Sequence, residues 1–247
     1  MTRVFAIAAI AMVLAADTAS AQSIDLRSLI PEGQASTSAR MVQLVALLTV
    51  LSVAPGILVT VTCFTRFIIA LSFLRAGLGL PSTPSNIVLV SLALFMTFFV
   101  MAPTFDKMWI EGVQPLMENK IDEQEAYKRI SKPVRDFMSA NVRQKDIVLF
   151  EDIARSRMPQ GEAEPAEVDM RVLVPAFMVS ELRRGFEIGF LIILPFLVID
   201  LVVATLVMSM GMMMLQPTTI SLPFKILFFV LIDGWNLLVG GLMRSFG

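Results

Sequence analysis

Four long apolar stretches constrain this chain more than any other feature. Residues 41–65 carry no charge, and the apolar pattern continues past Arg66 to Leu74. Residues 87–103, "IVLVSLALFMTFFVMAP", are shorter but dense. In 186–215 the only charges are Glu187 and Asp200, and in 222–243 they are Lys225 and Asp233. A helix needs about 20 apolar residues to cross a hydrocarbon core, so all four qualify or nearly so. Composition agrees. Hydrophobic residues make up 56% and charged residues 17% of the chain, against about a quarter charged in soluble domains.

The stretches form two pairs. The first is joined by "RAGLGLPSTPSN" at 75–86 and the second by "MGMMMLQPTTISLPFK" at 210–225. Gly and Pro interrupt helices and supply turns, so each pair reads as a helical hairpin. The expectation is an all-α membrane protein with two long helical hairpins, over 41–105 and 181–247. Between them, 106–180 reads as a small helical extracytoplasmic region. There "EQEAYKRISKPVRDFM" sets Ala126, Ile130, Val134 and Phe137 at helical spacing, and "QKDIVLFEDIAR" suggests a second amphipathic helix. "PQGEAEPAEVD" at 159–169 reads as an acidic loop.

The N-terminus carries Arg3, a short apolar core at 4–16 and "ASA" at 19–21. That is the pattern of a signal peptide over 1–21, cleaved between Ala21 and Gln22, with a polar tail at 22–40. An uncleaved anchor is the alternative. Cleavage places the mature N-terminus outside the cytoplasm and both hairpin tips inside it. Arg66 and Arg75 suit that order. Lys107, Arg183, Arg184 and Arg244 then lie outside, close to span ends, against the positive-inside rule. Either the signal is misread or these helices are not held like ordinary bilayer spans.

Several chemistries are excluded. The chain has no histidine and one cysteine, Cys63, so imidazole metal sites, Ser-His catalysis and thiolate clusters have no residues to build them. No metal or cofactor site is expected. A net charge of -1 gives no basic surface for nucleic acid. No phosphate-loop pattern surrounds Gly77 and Gly79.

What remains is a set of charges and small residues in apolar surroundings. Arg66, Asp200, Lys225 and Asp233 each cost about 3 kcal/mol if they face lipid. They must meet a partner helix, water or one another. Asp200 and Lys225 lie on opposite arms of the second hairpin, so pairing within or between subunits is open. Gly185 and Gly189 stand at G-x-x-x-G spacing, which permits close helix approach. Methionine is apolar, adaptable and uncharged, so the run at the second hairpin tip suits a constriction that closes on itself and reshapes around a passing chain. In a helix Met210, Met213 and Met214 share a face and Met212 points away. In a loop all four are free to converge.

Two segments carry a family resemblance. "PAFMVSELRRGFEIGF" at 175–190 and "PFKILFFVLIDGW" at 223–235 resemble the two signature stretches of the FliP family, with "MMMLQPTTISLP" between them. This family is the P component of the export gate of flagellar and related type III secretion systems. The resemblance implies a subunit of a protein-export gate in the bacterial inner membrane, at the flagellar basal body. It also implies no enzymatic activity. Family members assemble as several copies with Q- and R-type proteins into a pore for unfolded flagellar subunits, raised toward the periplasm. They work with a larger export gate protein and a FliO-type assembly factor. Met212, Met213 and Met214 match the family's constriction seal. Glu181, Asp200 and Lys225 match charged positions implicated in subunit contact or assembly, and Asp233, Gly234 and Trp235 close the second signature. Competing readings are a small-solute or ion channel using Arg66, Asp200 and Asp233, the P component of a virulence injectisome, and an intramembrane enzyme.

Overall fold

The computed structural model describes residues 37–156, 168–211 and 216–246. All regular elements among these are helical: α1 (Thr37–Val61), α2 (Phe64–Leu78), α3 (Asn86–Met108), α4 (Gln114–Met117), α5 (Glu123–Asn141), α6 (Gln144–Arg155), α7 (Met170–Ser209), α8 (Pro217–Leu231) and α9 (Gly234–Arg244). A π-helical turn, Trp109–Val113, links α3 to α4. The stretches Leu44–Val61, Asn86–Met117 and Met170–Ser209 are long and apolar enough to cross a membrane, as is the bent pair α8–α9 taken as one span. The chain divides into residues 1–53 and 54–247. Everything below concerns the second unit.

The apolar stretch 41–74 is not one helix. It breaks at Thr62–Cys63, where side chains compete for the backbone. The Phe64 N–H donates to Thr62 Oγ1 at 3.4 Å, and Thr65 Oγ1 donates to the Val59 carbonyl at 3.1 Å. The short α2 beyond the break is the most enclosed helix of the unit; Phe67, Ala70 and Leu71 are fully buried. It ends on Gly79 at φ +74°. There the N–H groups of Gly79 and Leu80 turn back to the carbonyls of Ala76 and Arg75, a left-handed cap that glycine makes without strain.

Helix α7 starts at Met170, well before the long apolar run that begins at 186. Asp169 caps it by accepting from the Arg171 N–H at 3.0 Å. The sequence boundary at 180/181 therefore falls inside one continuous helix.

The contacts fix how these helices run. Pairs between α2 and α7 advance together: Arg66 with Glu181, Ile69 beside Gly185, Phe73 beside Gly189, and Ile193 and Phe196 beside Gly77. The two helices are parallel. Helix α3 starts where α2 ends, since Arg75 Nη1 donates to Asn86 Oδ1, and returns toward the start of α7. Past its end, Gly112 meets Ile130 of α5, and α5 in turn sets Phe137 against Phe177 of α7. Helix α8 runs antiparallel to α7, with Phe228 and Phe229 beside Phe196 and Lys225 beside Asp200.

One consequence is a stagger. Helix α2 ends near Phe196, so α7 continues to Ser209 for about 20 Å beyond it, at 1.5 Å per residue. Only α8 accompanies α7 there among the described helices of this unit.

Candidate functional site

The first charged cluster lies at the start of α2. Arg66 and Glu181 are both fully buried. Arg66 Nε donates to Glu181 Oε2 at 2.8 Å and Nη2 to Oε1, a two-pronged pairing that suits a guanidinium. The remaining Nη1 donates to the Ser245 carbonyl at 3.0 Å and to Ser245 Oγ at 2.9 Å. The Phe246 ring covers the guanidinium, 3.4 Å from Cζ to the ring centroid. Phe246 also packs against Phe67 and Phe137. This cluster ties α2, α7 and the turn after α9 together, with each guanidinium nitrogen of Arg66 donating to an acceptor.

The second cluster lies at the other end of α2. Lys225 Nζ donates to Asp200 Oδ2 at 2.6 Å and to the Gly77 carbonyl at 3.0 Å. Ser221 Oγ donates to Asp200 Oδ1 at 2.5 Å. The ammonium thus sits at the negative end of α2, and joins α2, α7 and α8. Asp200 and Lys225 pair within one chain.

Between the clusters, Gly185 and Gly189 admit the α2 side chains. A Cβ on Gly185 would lie 3.1 Å from Ile69, and one on Gly189 2.5 Å from Phe73. The G-x-x-x-G spacing serves this parallel contact.

Sequence reasoning missed several participants. Ser221, Ser245, Phe246 and the Gly77 carbonyl give no separate signal in the chain. A third cluster was also missed. Ser180 Oγ donates to Asp146 Oδ2 at 2.6 Å and accepts from the Arg143 N–H at 3.1 Å, which fastens α6 to α7. Among the described residues, every buried side-chain N or O has a hydrogen-bond partner.

The apolar tip is placed in part. Met210 ends α7, is 71% exposed, and is followed by Gly211 at φ +74°. Met212, Met213 and Met214 lie outside the described residues, as do Ala21 and Gln22. Below the tip, Val198, Val202, Leu206 and Met210 of α7 and Ile220 and Phe224 of α8 line a wholly apolar cleft of about 580 Å³.

Asp233 stands apart from both clusters. It is exposed, at φ +52°, where α8 and α9 meet at 64°. Gly234 leaves room for the Phe229 ring, which a Cβ would meet at 2.2 Å. Trp235 packs edge-on against the same ring at 5.5 Å. The "DGW" that closes the second signature is thus a helix break.

Fold and site together define an all-helical membrane protein, with its buried charges paired internally and a bare apolar hairpin at one end. The chain belongs to the FliP family: the model of that family matches residues 47–242. It is 68% identical over 213 residues to the flagellar biosynthetic protein FliP of Agrobacterium fabrum, covering 85% of this chain and 86% of the relative. The protein of the same name from Rhizobium meliloti is 60% identical over 242 residues, or 98% of each chain. That of Bacillus subtilis is 53% identical over 216 residues, 87% of this chain and 95% of the relative.

Proposed function

We propose that this chain is a component of the flagellar protein-export apparatus in the bacterial inner membrane. Several copies build, with Q- and R-type proteins, a pore for unfolded flagellar subunits, and flagellum assembly requires it. Met210, Met212, Met213 and Met214, at the tip of the second hairpin, form the constriction. The region 106–180 lies on the periplasmic side. A larger export gate protein and a FliO-type factor act beside it, and the leader 1–21 is removed between Ala21 and Gln22.

Family membership supports the flagellar role. The stagger of the apolar bands supports placing these helices against other protein subunits. The apolar part of α3 lies level with the first half of α7, both packed on α2, where Arg183 and Glu187 are exposed. The apolar part of α7 lies beyond α2. The two bands are displaced by about 20 Å along the unit, against a hydrocarbon core of about 30 Å. A flat bilayer centred on α3 would hold Arg183, Arg184 and Glu187 at its middle, at about 3 kcal/mol each. Burial against other protein subunits removes that conflict, and accounts for the failed positive-inside count.

The charges favour a protein conduit over an ion path. Arg66, Glu181, Asp200 and Lys225 are engaged with one another and with Ser221, Ser245 and the Gly77 carbonyl. The bare part of the second hairpin is apolar instead.

Mild-detergent purification of the tagged full-length protein from flagellated cells tests the reading. The expected outcome is a ring-like particle that contains Q- and R-type proteins. A monomer that conducts ions on its own in a planar bilayer overturns it.

A further inference from the structure

We propose that copies of this chain join head to tail through two charges that stand unpaired among the described residues: Arg184 of one copy meets Asp233 of the next. This rests on the reading of the chain as a multi-copy subunit.

The second hairpin holds its other charges internally. Glu181 is bound by Arg66, Arg183 pairs with Glu187, Lys225 pairs with Asp200, and Arg244 donates to the Gly240 carbonyl. Among the described residues, the side chains of Arg184 and Asp233 have no ion pair and no hydrogen bond. Arg184 lies one turn beyond Glu181, but Arg66 takes both Glu181 oxygens. The two orphans do not meet each other. Leu191 and Pro195 of α7 share a pocket with Gly234, which puts Asp233 roughly 10–17 Å further along α7 than Arg184.

Both lie at the surface in apolar surroundings. Asp233 is exposed beside Val230, Leu231 and Leu237, which are exposed as well. Arg184 is half-buried and shares a helix face with the exposed Leu191. Once such a surface is covered and water is excluded, each charge needs an opposite one against it. The turn itself does not account for the carboxylate. Asp233 precedes α9 at φ +52°, yet its side chain caps nothing, and glycine would hold the same turn with less strain. What the aspartate adds is a negative charge at the surface.

The orphans fit a second copy. They are opposite in sign on one chain, so each contact between copies satisfies one of each, whereas a different partner would have to bring both signs to every copy. A head-to-tail contact uses two different patches and builds rings or helical stacks, which suits a pore. The offset of the two residues along α7 makes each copy lean against, or step along, the axis of the assembly.

Cross-linking of the full-length protein in mild-detergent particles from flagellated cells tests this. Two differently tagged forms, Arg184→Cys and Asp233→Cys, are produced together and treated with a short bis-maleimide. Mixed contacts are then either the native pair or two cysteines, so no charge is left unmatched there. Cys63 is buried, and the unmodified protein serves as the blank. The expected product is a dimer carrying both tags, absent when either form is produced alone. Arg184→Gln and Asp233→Asn each lower the share of the chain found in multi-copy particles by about tenfold, with the melting temperature of the monomeric fraction unchanged. Arg184→Asp combined with Asp233→Arg restores it. Multi-copy particles that give no two-tag product, or that withstand both neutral variants, overturn the pairing and leave the multi-copy reading standing. A dimer from Arg184→Cys alone also overturns it, because like patches then meet. An unmodified particle that holds a single copy of the chain overturns both.

Discussion

Arg66 and Glu181 are separated by most of the folded unit in sequence, yet they meet as a fully buried ion pair beneath the ring of Phe246. Burying two charges is costly, and the pair is tolerated because both Glu181 oxygens and all three guanidinium nitrogens have a partner. The asymmetry of that balance makes the pair informative.

Removing one partner leaves the other as an unpaired buried charge. Arg66→Ala or Glu181→Ala is therefore expected to cost about 3–5 kcal/mol. Either should sharply reduce folded protein recovered from membranes and lower its melting temperature in detergent. Arg66→Met combined with Glu181→Leu removes both charges and should recover part of the loss. A double variant worse than the sum of the singles would show that the pair is not the stabilising unit.

The two glycines of α7 should differ in sensitivity. Gly189→Ala drives a Cβ to 2.5 Å from the Phe73 ring, whereas Gly185→Ala places it 3.1 Å from Ile69. Overpacking costs about 1–3 kcal/mol, so Gly189→Ala should be the more damaging. Gly241 in α9 has open space around its Cβ position. Gly241→Ala should raise stability by up to about 1 kcal/mol through helix propensity. Thermal unfolding of the three variants side by side checks the order. Equal losses at all three would place the effect in the backbone and not in the α2–α7 contact.

Local pattern was legible in the sequence, and long-range pairing was not. The segment "QKDIVLFEDIAR" is helix α6, end to end, and the Ala126, Ile130, Val134 and Phe137 face of α5 points inward as spaced. Both follow from a 3.6-residue period. The break at Thr62–Cys63 left no mark, because the run stays apolar across it and threonine hydroxyls do the interrupting. The early start of α7 was hidden because Glu181, Arg183 and Arg184 separate the apolar 172–179 from the long run that begins at 186, although Asp169 just before 170 is a capping signal. The charges were recognisable as needing partners. Which charge takes which partner depends on the parallel register of α2 and α7, and that is a property of the fold. The methionines beyond Met210 were identified from chemistry and resemblance, and lie outside the described residues.

The break at Asp233 and Gly234 makes a prediction of opposite signs. Asp233 adopts a left-handed conformation at φ +52°, which costs a non-glycine residue about 1–2 kcal/mol. Asp233→Gly should leave stability unchanged or raise it, while the bend between α8 and α9 persists. Gly234→Ala meets the Phe229 ring at 2.2 Å and should destabilise by an amount typical of overpacking, about 1–3 kcal/mol. If Asp233→Gly instead abolishes motility at normal protein levels, the carboxylate has a task beyond the turn.

The functional proposal is most exposed at the tip. Replacing Met212, Met213 and Met214 together with Ala shortens three flexible apolar side chains at a place where none of the charge clusters acts. The protein should therefore fold and assemble normally. If those side chains close the pore, the assembled variant should let small ions through. Cells expressing it should show membrane depolarisation and slower growth in high salt, and lose these effects when the Q-type partner is deleted. Substitution by Leu, similar in volume and apolarity but stiffer, should keep the barrier while slowing export of flagellar subunits into the medium. That split is the diagnostic outcome, because a seal needs bulk whereas passage needs compliance. An assembled triple-Ala complex with unchanged permeability removes the methionine run from the pore.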